Sequence, residues 1–192
     1  MSETKLNERE RADLERRQRD AQREIRVIGD PVLRERALEV TEFDRSLRKL
    51  AKKMIKIMHD APGIGLAAPQ VGVLQRLLVY DVDDDTQALV NPVLSGFSEE
   101  LEEIDEGCLS VPGLNMPVSR PVRVHVSALD VYGAAIEFEA EGMLARVIQH
   151  EFDHLEGVLI VDRTSRSARA AAMRELAEHG GVGELQAVGG GL

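Results

Sequence analysis

The chain has 192 residues, of which 43 % are hydrophobic and 30 % are charged, and its formal net charge is −10 at pH 7. This length suits one domain with a sizeable core, and the acidic balance argues against binding along a DNA backbone. One cysteine excludes a disulfide within the chain, and no apolar run approaches the length of a membrane span, so we expect a cytoplasmic protein without membrane partners.

The two ends of the chain differ in composition from its centre. Residues 5–24 carry many opposite charges four positions apart, which favours a polar helix, but they have too few apolar residues to bury a face. We therefore predict a solvated or partner-dependent extension over residues 1–24 and a globular domain over residues 25–166. The C-terminal region, residues 167–192, should contain most of a helix predicted over 165–179 and a disordered glycine-rich tail from Gly180.

Hydrophobic periodicity predicts the elements of the globular part in chain order. The expected elements are a helix over 46–60, strands over 75–82, 88–94 and 122–130, turns at 83–85 and 132–133, a helix over 142–155 and a short strand over 158–161. Strands followed by a helix, without repeated β-α-β alternation, indicate an α+β fold in which antiparallel strands surround a central helix.

That central helix carries the sequence Gln-His-Glu-Phe-Asp-His at residues 149–154. On a helix, His150 and His154 lie on one face, one turn apart, where they can hold one metal ion while Glu151 acts as a base towards a water on that metal. A catalytic metal site of this kind needs three protein ligands and one open position. The lone Cys108, in a loop-like stretch over 106–113, is the natural third ligand.

Three segments of the chain together resemble the motifs of the peptide deformylase family. These are GIGLAAPQ at 63–70, EGCLS at 106–110 and QHEFDH at 149–154, in the order and spacing of that family, within a resemblance that spans about residues 25–165. Its members remove the formyl group from the N-terminal methionine of new bacterial polypeptides. The resemblance thus implies N-formylmethionyl nascent peptides as substrates and one divalent metal ion, typically Fe²⁺, which Zn²⁺, Ni²⁺ or Co²⁺ often replaces.

The resemblance also implies a role for each matching residue. Cys108, His150 and His154 would be the metal ligands, and Glu151 would take a proton from metal-bound water and deliver it to the leaving amine. Gln70 and the backbone N–H of Leu109 would stabilise the oxyanion.

A second group of matching residues would bind substrate or support the site. Ile64, Gly65, Gly107 and Val147 would contact the substrate, with plain core packing as the alternative for Val147. Glu106 and Arg120 resemble an ion pair that braces the cysteine loop.

Two other functions remain open from the sequence. A zinc endopeptidase shares His-Glu-x-x-His, but its third ligand is normally a downstream His or Glu, whereas Cys108 lies upstream. An inactive, ribosome-associated paralogue is opposed by the intact Cys108, Gln70 and Glu151. Some bacterial deformylases dock on the ribosome near the nascent-chain exit through a basic C-terminal helix, and here that region carries arginines at 163, 166, 169 and 174 among acidic residues.

Overall fold

The computed structural model describes residues 7–178 and has the predicted α+β architecture. The helices are α1 (Glu8–Glu24), α2 (Arg45–Asp60), α3 (Gly142–Leu155), α4 (Ile160–Arg163) and α5 (Arg166–Glu178). The strands are β1 (Gly65–Ala67), β2 (Leu77–Val82), β3 (Asp85–Ser95), β4 (Leu101–Gly107), β5 (Asn115–Pro121), β6 (Arg123–Leu129) and β7 (Ala135–Glu141). Two short 3-10 turns cover Pro31–Arg34 and Ala68–Val71.

An antiparallel sheet of order β1-β2-β3-β6-β7 lies between the helices α2 and α3. Successive side chains of a strand point to opposite faces, and β2 shows this directly. Leu77 and Val79 join the core cluster that contains α2, whereas Leu78 and Tyr80 join the cluster that contains α3. Ten residues of α3 are buried, including both histidines, because the sheet covers its apolar side and β5 contacts it as well.

The hairpins of this sheet use the expected turn residues. Asp83 and Asp84 join β2 to β3 with φ values of +56° and +62°, the left-handed conformation that a tight two-residue hairpin requires. Between β6 and β7, the side chain of Asp130 accepts hydrogen bonds from the backbone N–H groups of Tyr132 and Ala134. Both turns agree with the sequence prediction.

The two longest helices of the globular part agree closely with the prediction, and three predicted strands are present with shifted ends. The strand predicted over 158–161 is wrong. A carboxylate oxygen of Asp162 accepts a hydrogen bond from the backbone N–H of Leu159, which starts the short helix α4 and buries its apolar residues in a third core cluster. The strands β1, β4, β5 and β7 were not predicted, and the stretch expected to be a loop over 106–113 begins with the last two residues of β4.

Helix α1 forms as predicted, but its C-terminal end is not solvated. Ala21 and the following Ile25 are buried in the cluster that contains α2, and Lys53 of α2 forms an ion pair with Glu24. The helix predicted over 165–179 is observed as α5, whereas the tail predicted to be disordered lies outside the described residues. Within residues 7–178, none of the helices combines the length and apolarity needed to cross a bilayer.

Candidate metal centre

Strand β4 and helix α3 bring the three predicted ligands together. Cys108 directly follows β4, and His150 and His154 are buried one turn apart on α3. One ligand atom from each residue lies within 4.8 Å of the others, and the Cys108 Sγ is 3.2 Å from the His154 Nε2. A thiolate and two imidazoles at such separations fit a tetrahedral divalent ion with its fourth position open.

The orientation of His150 also fits a metal ligand. Its Nδ1 is 3.0 Å from Oε2 of Glu106, so that the carboxylate accepts the Nδ1–H proton and the lone pair is left on Nε2. Metal-ligating histidines usually have such a carboxylate partner. The donor set suits Fe²⁺, Zn²⁺, Co²⁺ or Ni²⁺ and by itself does not choose among them.

The pKa values of the two histidines are shifted in opposite directions. Burial opposes charge on His150, but its hydrogen bonds to Cys108 and Glu106 outweigh this and raise its pKa well above the ordinary value. Burial lowers the pKa of His154 well below the ordinary value, and the neighbouring His150 lowers it further. A neutral imidazole is the form that binds a metal, so the lowered pKa of His154 favours its role as a ligand.

Glu106 belongs to a buried network of charged side chains. Arg120 donates to both of its carboxylate oxygens, from Nε at 2.7 Å and from Nη2 at 2.9 Å. Burial tends to raise the pKa of Glu106, but the hydrogen bonds of His150 and Arg120 lower it to about 2. Arg120 also donates to Asp153 at 2.9 Å, and Arg146 donates to Glu106 at 2.8 Å. The ion pair that the family resemblance implied is thus present, within a larger network.

Glu151 lies next to the ligands but has a different environment. It is 4 % exposed, and its Oε2 has no hydrogen-bond partner among the described residues. Burial raises the pKa of Glu151 to about 7. Its side chain packs directly on Gly65 of β1, where a Cβ atom would lie 2.9 Å from the Glu151 Cδ. A buried carboxyl group with such a pKa can both take up and release a proton near neutral pH.

Gln70 points towards the cysteine from the 3-10 turn that follows β1. Its Oε1 accepts a hydrogen bond from the backbone N–H of Ala67 at 2.7 Å, and its Nε2 donates to Ser110 Oγ at 3.2 Å. The same Nε2 is 3.9 Å from the Cys108 Sγ. The amide is therefore held with its N–H donors on the side of the ligands. Leu109 lies between Cys108 and Ser110 and packs on Gly63, where a Cβ atom would lie 2.8 Å from the Leu109 Cδ1.

The remaining predicted substrate residues lie next to site residues along the chain: Ile64 precedes Gly65, Gly107 precedes Cys108, and Val147 lies on α3. Ile64 is 49 % exposed and, with Gly63, lines an open cavity of about 410 Å³ whose other walls are His59, Asp81, Asp83 and Asp84. At Gly107, a Cβ atom would lie 2.7 Å from the Asn115 Oδ1, so a larger residue would require the exposed Asn115 side chain to move. Val147 is buried in the core cluster that contains α3, so its place in a substrate pocket stays a prediction.

Two residues that contact the site, Ser110 and Arg146, were not predicted from the sequence. Ser110 gave no signal beyond its place in the cysteine motif. Arg146 did give a signal in the sequence, because it precedes His150 by four residues and therefore lies on the same helix face as both histidines. An arginine on a helix ordinarily reads as an exposed residue, whereas this side chain is 7 % exposed.

Comparisons with known proteins agree with this geometry. The family model described as polypeptide deformylase matches residues 22–170. The peptide deformylase of Acidothermus cellulolyticus is 51 % identical over 158 residues, which cover 82 % of this chain and 87 % of that protein. The crystal structure of the Thermotoga maritima peptide deformylase superimposes with a TM-score of 0.72 at 50 % identity, covering 73 % of this chain and 96 % of that one. The Synechococcus elongatus peptide deformylase in complex with actinonin gives a TM-score of 0.77 at 40 % identity and covers 84 % and 89 %. The chain therefore belongs to the peptide deformylase family of metallohydrolases.

Proposed function

We propose that this protein hydrolyses the formyl group from N-formylmethionyl nascent peptides and that Glu151 is its general base and acid. The observation that carries this assignment is the environment of Glu151. Its carboxyl group is buried beside the three ligands, and one oxygen is without a partner among residues 7–178. Such a group is available to a reacting water and cannot be explained by a structural hydrogen bond.

A divalent metal held by Cys108, His150 and His154 would supply Lewis acidity, which lowers the pKa of water and polarises the formyl oxygen. Glu151 takes a proton from the attacking water as oxygen bonds to the formyl carbon. It then passes that proton to the amine nitrogen as the C–N bond breaks, giving formate and a free methionyl N-terminus.

Negative charge develops on the formyl oxygen during this attack, and fixed N–H donors stabilise it. We assign this role to the Nε2 of Gln70 and to the backbone N–H of Leu109. The hydrogen bonds of Gln70 to Ala67 and Ser110 support the assignment because they hold the amide in place before substrate arrives. Ile64, Gly65, Gly107 and Val147 are our candidates for contacting the methionine and the peptide backbone.

We further propose Fe²⁺ as the native ion, with Zn²⁺, Ni²⁺ or Co²⁺ as possible replacements. The thiolate in the ligand set is compatible with each of them and makes the Fe²⁺ form prone to oxidation. Peroxide should therefore inactivate the Fe²⁺ protein faster than the Ni²⁺ protein. Equal sensitivity would remove the argument for oxidation at an iron–thiolate site.

Formate release from formyl-Met-Ala-Ser by the metal-loaded protein tests the proposed reaction. Acetyl-Met-Ala-Ser is the matched control, since it differs by one methyl group at the carbonyl that is attacked. We expect rapid hydrolysis of the formyl peptide and little of the acetyl peptide. Cleavage of internal bonds in an unblocked peptide, without formate release, would favour the zinc endopeptidase. The absence of both activities would favour an inactive paralogue.

The same proposal places the reaction in the cytoplasm, on chains that emerge from the ribosome. Arg163 and Arg169 form ion pairs with Asp153 and Asp162 within the chain, so a ribosome contact by α5 would depend on Arg166 and Arg174. Cosedimentation of the wild type and of the variant R166E/R174E with ribosomes tests this contact. Equal recovery of the two proteins in the ribosome pellet would exclude α5 as the contact.

A further inference from the structure

Arg146 connects three parts of the protein that meet beside the metal centre. It lies on α3, and its Nη1 donates to Oε1 of Glu106 at 2.8 Å and to the backbone carbonyl of Val118 at 3.0 Å. Its Nη2 donates to the backbone carbonyl of Glu102 at 2.7 Å. Strands β4 and β5 pair as an antiparallel hairpin that forms a second, two-stranded sheet. One buried guanidinium thus ties the helix of the histidines to both strands of this β4–β5 hairpin.

The hairpin in turn presents the cysteine ligand. Strand β4 ends at Gly107, immediately before Cys108, and Glu106 is the residue that accepts the Nδ1–H of His150. Arg146 shares Oε1 of Glu106 with Arg120, so two guanidinium groups fix the carboxylate whose other oxygen faces His150. A planar fork with several donors suits this task better than any other side chain.

From this geometry we infer that Arg146 is a positioning residue for the metal centre, acting through Glu106 on His150 and through β4 on Cys108. The inference rests on the proposed function only in that the three ligands hold a metal ion. Arg146 touches neither the ligands nor Glu151 by a hydrogen bond, and its effect is on where two ligand atoms are held before the ion binds. Partners of this kind typically change metal affinity by about 10–100-fold.

The chain offers a matched control for a purely structural role. Gln149 lies on the same helix and also ties it to β5, because its Nε2 donates to the backbone carbonyl of Pro121 at 3.0 Å. Its hydrogen bonds do not include Glu106. Q149A therefore removes a connection between helix and hairpin without loosening the carboxylate that faces His150.

The test measures metal retention rather than turnover. Wild type, R146A and Q149A are loaded with Co²⁺, and the first-order rate of ion loss to excess chelator is followed through the visible absorption of the cobalt site. We expect R146A to lose the ion about 10–100-fold faster than the wild type and to show altered cobalt bands. Q149A should lose the ion at a rate within about threefold of the wild-type rate, even if its melting temperature falls as far as that of R146A.

Two further variants make the test decisive. R146K keeps the positive charge but replaces the planar guanidinium fork with an ammonium group, so we expect it to lose the ion faster than the wild type. This variant tests the inference even if R146A fails to fold. In an E106Q background, R146A should increase the rate of ion loss much less than it does alone, because both changes break the same chain of contacts to His150.

An unchanged rate and spectrum in folded R146A or R146K, equal ion loss from Q149A, or full additivity with E106Q would each overturn the inference. If the wild type retains cobalt but does not release formate, the proposed function fails while this inference can still be judged. If the wild type binds no ion, both fail.

Discussion

Gly65 of β1 and Glu151 of α3 are in direct contact, with no space between the strand backbone and the carboxylate side chain. A Cβ atom on Gly65 would lie 2.9 Å from both Cγ and Cδ of Glu151, closer than real Cβ contacts allow. The strand therefore determines where the carboxyl group sits, and the absence of a side chain at position 65 is a condition for its present place.

Gly65→Ala should displace Glu151 and lower kcat by about 10²-fold, because a misplaced catalytic group costs rate far more than it costs folding. The comparison is Gly63→Ala, whose added methyl meets the flexible end of the Leu109 side chain and should cost less. Steady-state kinetics on a formyl peptide, with circular dichroism to confirm the fold, measure both. A Gly65→Ala protein with wild-type kcat would show that Glu151 tolerates movement.

Glu151→Ala and Glu151→Gln should retain the metal and lose turnover. General acid–base catalysis is typically worth about 10²–10⁴-fold, and the loss should appear in kcat. Metal content after dialysis, measured by atomic emission beside the kinetics, separates this outcome from loss of the ion. A variant that keeps more than a tenth of the wild-type kcat would remove Glu151 from the mechanism.

Gln70→Ala should lower kcat by about 10²–10³-fold with little change in KM, since an oxyanion donor acts mainly in the transition state. Ser110→Ala should give a smaller loss in the same parameter because it removes the group that holds the Gln70 amide. If Gln70→Ala changed KM alone, Gln70 would bind the substrate rather than stabilise the transition state.

His125, which is not one of the candidate metal ligands, should make the stability of the protein depend on pH. A hydrogen bond to Glu139 raises the pKa of His125, and Glu137 raises it further. Desolvation lowers this pKa, but by less than the bond to Glu139 raises it. A raised pKa means that the charged form is favoured in the folded state. Its stabilisation is complete below the unfolded pKa of about 6.5 and is lost as the pH rises through the folded pKa.

Melting temperatures of wild type and His125→Gln from pH 5.5 to 9 test this dependence. The wild type should have the higher melting temperature at pH 5.5, and the difference should shrink towards pH 9. A difference that grew with pH would show that the neutral form of His125 is the stabilising one.

Much of the centre could be predicted because helix geometry alone relates His150 to His154. Cys108 is different, since its distance to the histidines depends on how β4 packs against α3, and spacing along the chain carries no such information. The sequence offered Cys108 as the third ligand because it is the lone cysteine, and the family resemblance supported that choice, but neither gives its distance to the histidines. Arg146 was harder still, because a buried arginine is recognised by its partners, and these come from distant parts of the sequence. Arg120 was named only through the family resemblance.

Two of the four missed strands, β1 and β4, lack a readable sequence pattern for separate physical reasons. Strand β4 is largely exposed and acidic, so it lacks the apolar pattern that marks a strand, and β1 is too short to show a period. Strand β7 carries a readable alternation at Ile136, Phe138 and Ala140. The prediction of a strand over 158–161 was wrong because a short apolar run looks the same in a strand and in a single buried helical turn. Here Ile160 and Val161 are buried on such a turn.

Cys108 is the only cysteine of the chain and also one of the three candidate ligands, so the reactivity of its thiol reports whether the site holds an ion. A thiol bound to an ion is shielded from alkylation and disulfide exchange, whereas the same thiol without the ion reacts. A colorimetric thiol titration of the native protein would therefore count empty sites directly, and the same titration after denaturation would count total chains. The ratio of the two gives the loaded fraction of any preparation without a separate metal analysis.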